Sequence, residues 1–144
     1  MMTKLITASQ AGVKIDMIVR GICCLIPGVK GYTDNIKIIS VVDRFLAHAR
    51  VYIFANAGDE KMFIASADWM SRNLDQRVEA VIPILDGKIK KELRYIVNLQ
   101  LQDNQKARRI ETGKENTYIK RQEGAASIRC QTSIYTWLKG RGNH

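Results

Sequence analysis

The strongest constraint in this chain is an order of runs: short β-branched segments broken by turn residues, then one long segment with helical spacing. Val13, Ile15, Met17 and Val19 alternate with Lys14 and Asp16, the two-residue period of a strand with one buried face. Ile36, Ile38, Ile39, Val41 and Val42 form a second such run. Val51, Tyr52, Ile53 and Phe54 form a third; Asn56-Ala57-Gly58-Asp59 then signals a hairpin turn, and residues 61–65 are the return strand. Residues 78–84 read as a further strand, and Pro83 puts it at an edge or at its end, because proline brings no N–H to a ladder. Residues 87–101 then place Ile89, Leu93, Ile96, Val97 and Leu101 at helical spacing. Strands mixed with helices predict an α/β (α+β) fold.

The rest of the chain is less regular. Residues 3–11 read as a helix stopped by Gly12. Pro27-Gly28 and Lys30-Gly31 mark a loop, and Asp43 is expected to cap a short helix through His48. Residues 66–72 read as irregular, 103–121 as a charged stretch ending in a short strand at 117–119, and 125–138 as a final helix. With 144 residues, no internal repeat and no linker, a single domain over 1–144 is expected. The first helix is already under way at Met1 without a cap, which suggests a piece of a longer protein. No apolar run approaches the roughly 18 residues that a membrane span needs, and no signal peptide is recognisable. Cys23 and Cys24 are adjacent, and the 3 cysteines form no C-x-x-C pair. Reduced thiols, no structural zinc and a cytoplasmic location are therefore expected.

Charge narrows the partners. The net charge is +9, from 23 Lys+Arg against 14 Asp+Glu. Residues 1–85 hold 10 basic and 8 acidic side chains, net +2, and residues 86–144 hold 13 and 6, net +7. A basic half suits a polyanion such as nucleic acid, a phosphate polymer or anionic lipid, and suits a solvated cationic face equally well. Aromatic residues make up only 7%, which leaves few platforms for stacking bases, so nucleic acid is not the expected partner.

Several side chains have the chemistry to handle phosphate. Arg20 follows an apolar strand and precedes a glycine, so its guanidinium is expected to project from a sheet end as a fork for phosphate oxygens. His48 is the only internal histidine, and Arg50 beside it adds a cation at the entry to a strand. Ser66, Asp68, Trp69, Arg72, Asn73, Arg77 and Glu79 form a run dense in hydrogen-bonding groups. That run can line an oxyanion pocket, or it can be a helix start in which Asp68 caps and pairs Arg72 at i, i+4. The P-loop, G-x-G-x-x-G and H-E-x-x-H patterns are all missing.

Three strings carry a resemblance. Arg20-Gly21-Ile22-Cys23-Cys24-Leu25 within residues 13–28, Arg44-Phe45-Leu46-Ala47-His48-Ala49-Arg50 within 44–54, and Ser66-Ala67-Asp68-Trp69-Met70 within 66–79 resemble the last domain of bacterial polyphosphate kinase. The match runs in order over residues 13–83 and continues more weakly through the basic tail. It implies a phospholipase-D-like mixed sheet flanked by helices, as part of an enzyme that reversibly moves the terminal phosphate of ATP to long-chain polyphosphate. It implies that Arg20 and His48 contact the nucleotide's phosphates; His48 is the candidate catalytic group, and Arg50, Ser66, Asp68 and Arg72 are candidate pocket-lining residues. The phospholipase-D signature H-x-K-x4-D is degenerate here: Arg50 stands at the lysine and Ala55 at the acid, which counts against a phosphodiesterase or nuclease. The family's phosphorylated histidine and most of its Mg2+ site belong to an upstream domain, so this chain is expected to hold part of an active site and no metal. By the same resemblance the partners are ATP or ADP, polyphosphate, the upstream domains and further copies in a homo-oligomer. The full-length enzyme is expected in the cytoplasm, with a peripheral place at the inner membrane.

Overall fold

The computed structural model describes residues 1–111 and 116–141. The chain divides into two compact units, one made of Met1–Leu46 together with the chain from Ile96 onward, the other of Ala47–Tyr95.

The first unit is built on a mixed sheet in the order β1-β2-β6-β7. Strands β1 (Ile15–Ile18) and β2 (Ile36–Val41) run parallel, and β6 (Ala107–Arg109) and β7 (Thr117–Tyr118) complete it antiparallel. Both faces of β2 are covered, which explains its almost continuous apolar run. On one face Ile36 and Ile38 pack with Leu25 and with Leu5 and Ile6 of α1 (Met2–Gln10). On the other, Val41 packs with Ala107 and with Cys130 and Ile134 of α4 (Cys130–Arg141). Burying one such isoleucine contributes roughly 1.5–3 kcal/mol. Helix α1 ends at Gly12, whose φ of +87° only glycine adopts without strain. Buried Ser9 at its last turn takes Asn35 N–H at 3.2 Å, tying α1 to the start of β2.

The second unit is an antiparallel meander of β3 (Val51–Phe54), β4 (Lys61–Ala65) and β5 (Val81–Pro83), with β5 at the edge that Pro83 demands. Left-handed backbone at Asn56, Ala57 and Gly58 makes the tight β3–β4 turn. Met62, only 1% exposed, is the centre of this unit's packing. Two helices complete the description: α2 (Ser71–Gln76) and α3 (Gly87–Leu101). Asp86 caps α3 by accepting from Lys88 N–H at 2.7 Å and Ile89 N–H at 2.9 Å.

The mixed α/β class is as expected, and three local expectations are corrected. Residues 43–48 form no helix. Asp43 pairs instead with Arg129, and Phe45 exchanges hydrogen bonds with the Gln131 side chain at 2.9 and 2.7 Å, which ties the segment to α4. Strand β6 falls inside the stretch read only as charged. The last helix begins at Cys130, five positions later than residue 125.

Candidate functional site

The expected residues that come together do so in the second unit, at the entry of β3 and the exit of β4. The β3–β4 register pairs Val51 with Ile64, and Ala65 N–H donates to Arg50 carbonyl at 2.9 Å, so the ladder extends to Arg50. Alternation along the strand sends Arg50 and Tyr52 to one side, where residues 66–69 leave β4. Tyr52 stacks on Trp69 with ring centroids 5.3 Å apart, and its hydroxyl donates to Ala67 carbonyl at 3.3 Å. Burial pushes the Tyr52 hydroxyl pKa up, against the lowering effect of its Trp69 contact.

Arg50 is the hub. Its Nε donates to Asp68 Oδ1 at 3.1 Å, and Nη2 meets the same oxygen at 3.0 Å. Nη1 donates to the His48 carbonyl at 3.2 Å. Nη2 also lies 3.0 Å from His48 Nε2, and Nη1 lies 3.4 Å from His48 Nδ1. A neutral imidazole has one acceptor nitrogen, so the two ring contacts are not both hydrogen bonds; the shorter one, at Nε2, is the better bond. His48 itself is exposed, Arg50 partly buried.

Ser66 and Glu79 make a second cluster beside it. The Ser66 hydroxyl donates to a Glu79 carboxylate oxygen in a very short contact and accepts from Ala80 N–H at 3.0 Å. Asn73 Nδ2 donates to the other Glu79 oxygen at 2.7 Å. These bonds, Ser66 first and Asn73 second, hold the Glu79 carboxyl below the ordinary carboxylate range. Ser66 is thus spent on structure in this arrangement. Arg72 is exposed on α2 and makes no hydrogen bond or ion pair among the described residues. Of the two readings left open for this run, the Asp68–Arg72 pairing does not form: α2 starts only at Ser71 with Met70 as its cap residue, and Asp68 turns to Arg50.

Arg20 belongs to the first unit, two residues beyond the end of β1, and is exposed. That unit also holds a recess of about 430 Å³ lined by Asp43, Arg44, Phe45, Arg129 and Tyr135, none of them named as a site residue from sequence. Asp43 there is held below the ordinary carboxylate range by the Arg129 guanidinium, which grips it at 2.6 and 2.8 Å. The signal for this pair was its opposite charges alone, 86 residues apart. No described helix is long and apolar enough to cross a membrane.

These features define a mixed α/β domain in whose second unit an arginine lies between a histidine and a carboxylate. The family model described as polyphosphate kinase C-terminal domain 2 matches residues 1–131, and the chain belongs to that family. It is 47% identical to the polyphosphate kinase of Vibrio vulnificus strain YJ016 over 144 residues, which is 100% of this chain and 20% of that protein. The Vibrio cholerae El Tor Inaba N16961 polyphosphate kinase is 49% identical over 96% of the chain and 20% of its own length. The Escherichia coli K12 polyphosphate kinase is 44% identical over 94% and 20%. The crystal structure of polyphosphate kinase from Porphyromonas gingivalis superposes with a TM-score of 0.92 at 45% identity, covering 97% of this chain and 21% of that one. The chain therefore spans about a fifth of the length of these relatives.

Proposed function

We propose that this chain is the phosphate-facing C-terminal part of an enzyme that moves the terminal phosphate of ATP reversibly onto polyphosphate. In that transfer the bond from the γ-phosphorus to its bridging oxygen breaks, ADP leaves with that oxygen, and the phosphoryl group ends on the terminal phosphate of the polymer. Such chemistry demands positioning and charge neutralisation more than covalent help from most of the site. His48 and Arg20 are proposed as phosphate contacts: imidazole and guanidinium donate to oxygens on which charge develops. The basic half of the chain is the proposed electrostatic support for the polymer.

The observation that carries this reading is that nearly all of this chain matches about a fifth of the length of polyphosphate kinases at close to half identity. The phosphodiesterase alternative is the weaker one, because Arg50 and Ala55 replace the lysine and acid that such hydrolysis uses. The described residues contain no group of three or more His, Cys, Asp or Glu side chains placed to hold a metal ion. The magnesium ion that the resemblance implies is proposed to be held mainly by the upstream domain. Further copies of the chain and a place at the inner membrane remain part of the same proposal, carried by the family resemblance alone.

The reaction class is tested with the intact protein and ATP labelled on its terminal phosphate. Label appearing in acid-insoluble polymer that an exopolyphosphatase degrades is the expected result. Hydrolysis of a phosphodiester such as bis(p-nitrophenyl) phosphate, with no labelled polymer, would overturn the reading.

A further inference from the structure

We propose that Arg50, anchored by Asp68, is a positioning residue that sets the His48 ring, and that it is not itself a phosphate ligand. The proposal rests on the functional reading above, in which His48 meets phosphate. A guanidinium has five N–H groups in a fixed plane, and three hydrogen bonds tie that of Arg50 to Asp68 and His48. Nε donates to Asp68 Oδ1 at 3.1 Å, and Nη2 lies 3.0 Å from the same oxygen as an ion pair. One N–H of Nη1 goes to the His48 carbonyl at 3.2 Å. Nη2 donates to the imidazole Nε2 at 3.0 Å, while Nη1 lies 3.4 Å from Nδ1 without a hydrogen bond. With its charge paired by Asp68 and its side chain 19% exposed, Arg50 is committed to the protein rather than to a phosphate oxygen.

The same geometry says what the pair achieves. Because Nη2 donates to Nε2, the acceptor lone pair is on Nε2 and the ring proton on Nδ1, which chooses one tautomer of His48. Because both terminal nitrogens lie along the ring edge, rotating the ring pulls it away from at least one of them. Asp68 fixes the guanidinium from the other side, and the Tyr52–Trp69 stack, with Trp69 directly following Asp68, supports the segment that carries it. Arg50 is partly buried, its side chain 19% exposed, so the charge is shielded rather than offered to solvent. A lysine cannot reproduce this, since it is a point charge without a planar fork.

Two variants of the intact protein test the proposal, Arg50→Lys and Asp68→Ala, each made in the parent and in a His48→Ala background. Turnover of ATP into polymer, KM for ATP and the thermal midpoint are measured for all. In the parent background kcat is expected to fall about tenfold in each variant, in the range seen when a group orienting a functional side chain is removed. KM for ATP is expected to stay within about twofold. In the His48→Ala background both losses should shrink to within about twofold, the non-additivity of residues that act through one another. Four results would overturn the proposal: unchanged kcat in Arg50→Lys; equal loss in both backgrounds; a raised KM at constant kcat, which would make Arg50 a phosphate ligand; or a fall in thermal midpoint that accounts for the lost activity in both variants, which would make the pair structural. If His48→Ala alone leaves turnover unchanged, the role of His48 in the proposed function fails as well, and that case is separate from the other four because the background itself is then active.

Discussion

Replacing Asp103 by alanine should cost this chain more stability than any surface change, although Asp103 touches no candidate site residue. Its side chain is buried, with the residue 1% exposed. Oδ1 accepts from the N–H groups of Gln105, Lys106 and Ala107 at 2.9, 2.7 and 3.0 Å, and Oδ2 accepts from Cys130 N–H at 2.7 Å. One carboxylate thus closes the turn before β6 and caps α4. Ala107 and Cys130 are 0% and 2% exposed, so water does not replace their missing acceptor. A buried donor left without a partner costs about 1–3 kcal/mol, and two of them give a loss centred on about 4 kcal/mol, out of a typical total of roughly 5–15 kcal/mol. With a urea slope of about 2 kcal/mol per molar, the midpoint should fall by about 2 M. Asp103→Asn keeps one acceptor oxygen and sets an amide against Cys130 N–H, so it should lose about half as much. Burial opposes the charge of Asp103, but the backbone donors of Cys130, Lys106 and Gln105 outweigh it and lower the pKa below the ordinary 3.8. The unfolded chain therefore takes up the proton first as pH falls. The contribution of Asp103 is complete above 3.8 and is lost as pH drops through the lower folded value. Urea unfolding of the chain, followed by circular dichroism at pH 7 and again below pH 4, checks both points. A midpoint for Asp103→Ala within about 0.5 M of the parent at pH 7 would refute the reasoning.

Three further outcomes are expected. Polyphosphate should bind this chain with a strong salt dependence, and Arg108→Ala with Arg109→Ala should flatten the slope of log K against log salt by about one for each phosphate no longer neutralised; an unchanged slope would make these charges a solvated face. The chain alone should fold yet make no polyphosphate from ATP, since the resemblance implies a phosphorylated histidine in an upstream domain; robust synthesis by the 144-residue chain would contradict this. Burial and the neighbouring Asp103 push the Cys130 thiol up to about 12, so at neutral pH a thiol reagent should modify exposed Cys24 and spare Cys130 until urea unfolds the chain. Mass spectrometry of the modified peptides decides it.

What was legible in the sequence follows from how local each cause is. Strand β4 and helix α3 were expected within their observed limits because their period, turn and cap signals all lie within a few residues of them. Strand β6 was missed because Ala107-Arg108-Arg109 is short, and only Ala107 faces the core. Its two arginines read as charge, while one of them, Arg108, stacks on Tyr118 across the ladder at 4.2 Å. The start of α4 was placed too early because its cap is Asp103, 27 residues upstream. The expected helix at 43–48 does not exist because Asp43 finds Arg129 at the far end of the chain. The same limit governs the site. Residue types and strand-end positions identified His48, Arg50 and Asp68, but that Asp68 meets Arg50 rather than Arg72 depends on the β3–β4 register, which pairing by helical spacing does not capture.

The central claim is that His48 and Arg20 each handle phosphate in an ATP-to-polyphosphate transfer, and one measurement addresses it most directly. Steady-state turnover of ATP into polymer is compared for the intact protein and its His48→Ala, His48→Gln and Arg20→Ala variants, with thermal unfolding alongside. Removing one preorganised donor from a charge-stabilising site costs about 2.7–4 kcal/mol, or about 10²–10³ in rate. Each alanine variant should therefore lose turnover by about that factor while its thermal midpoint holds. His48→Gln should recover part of the loss if His48 only donates a hydrogen bond, and none if it transfers a proton. Near-normal turnover in folded His48→Ala would contradict the account and remove His48 from the transfer.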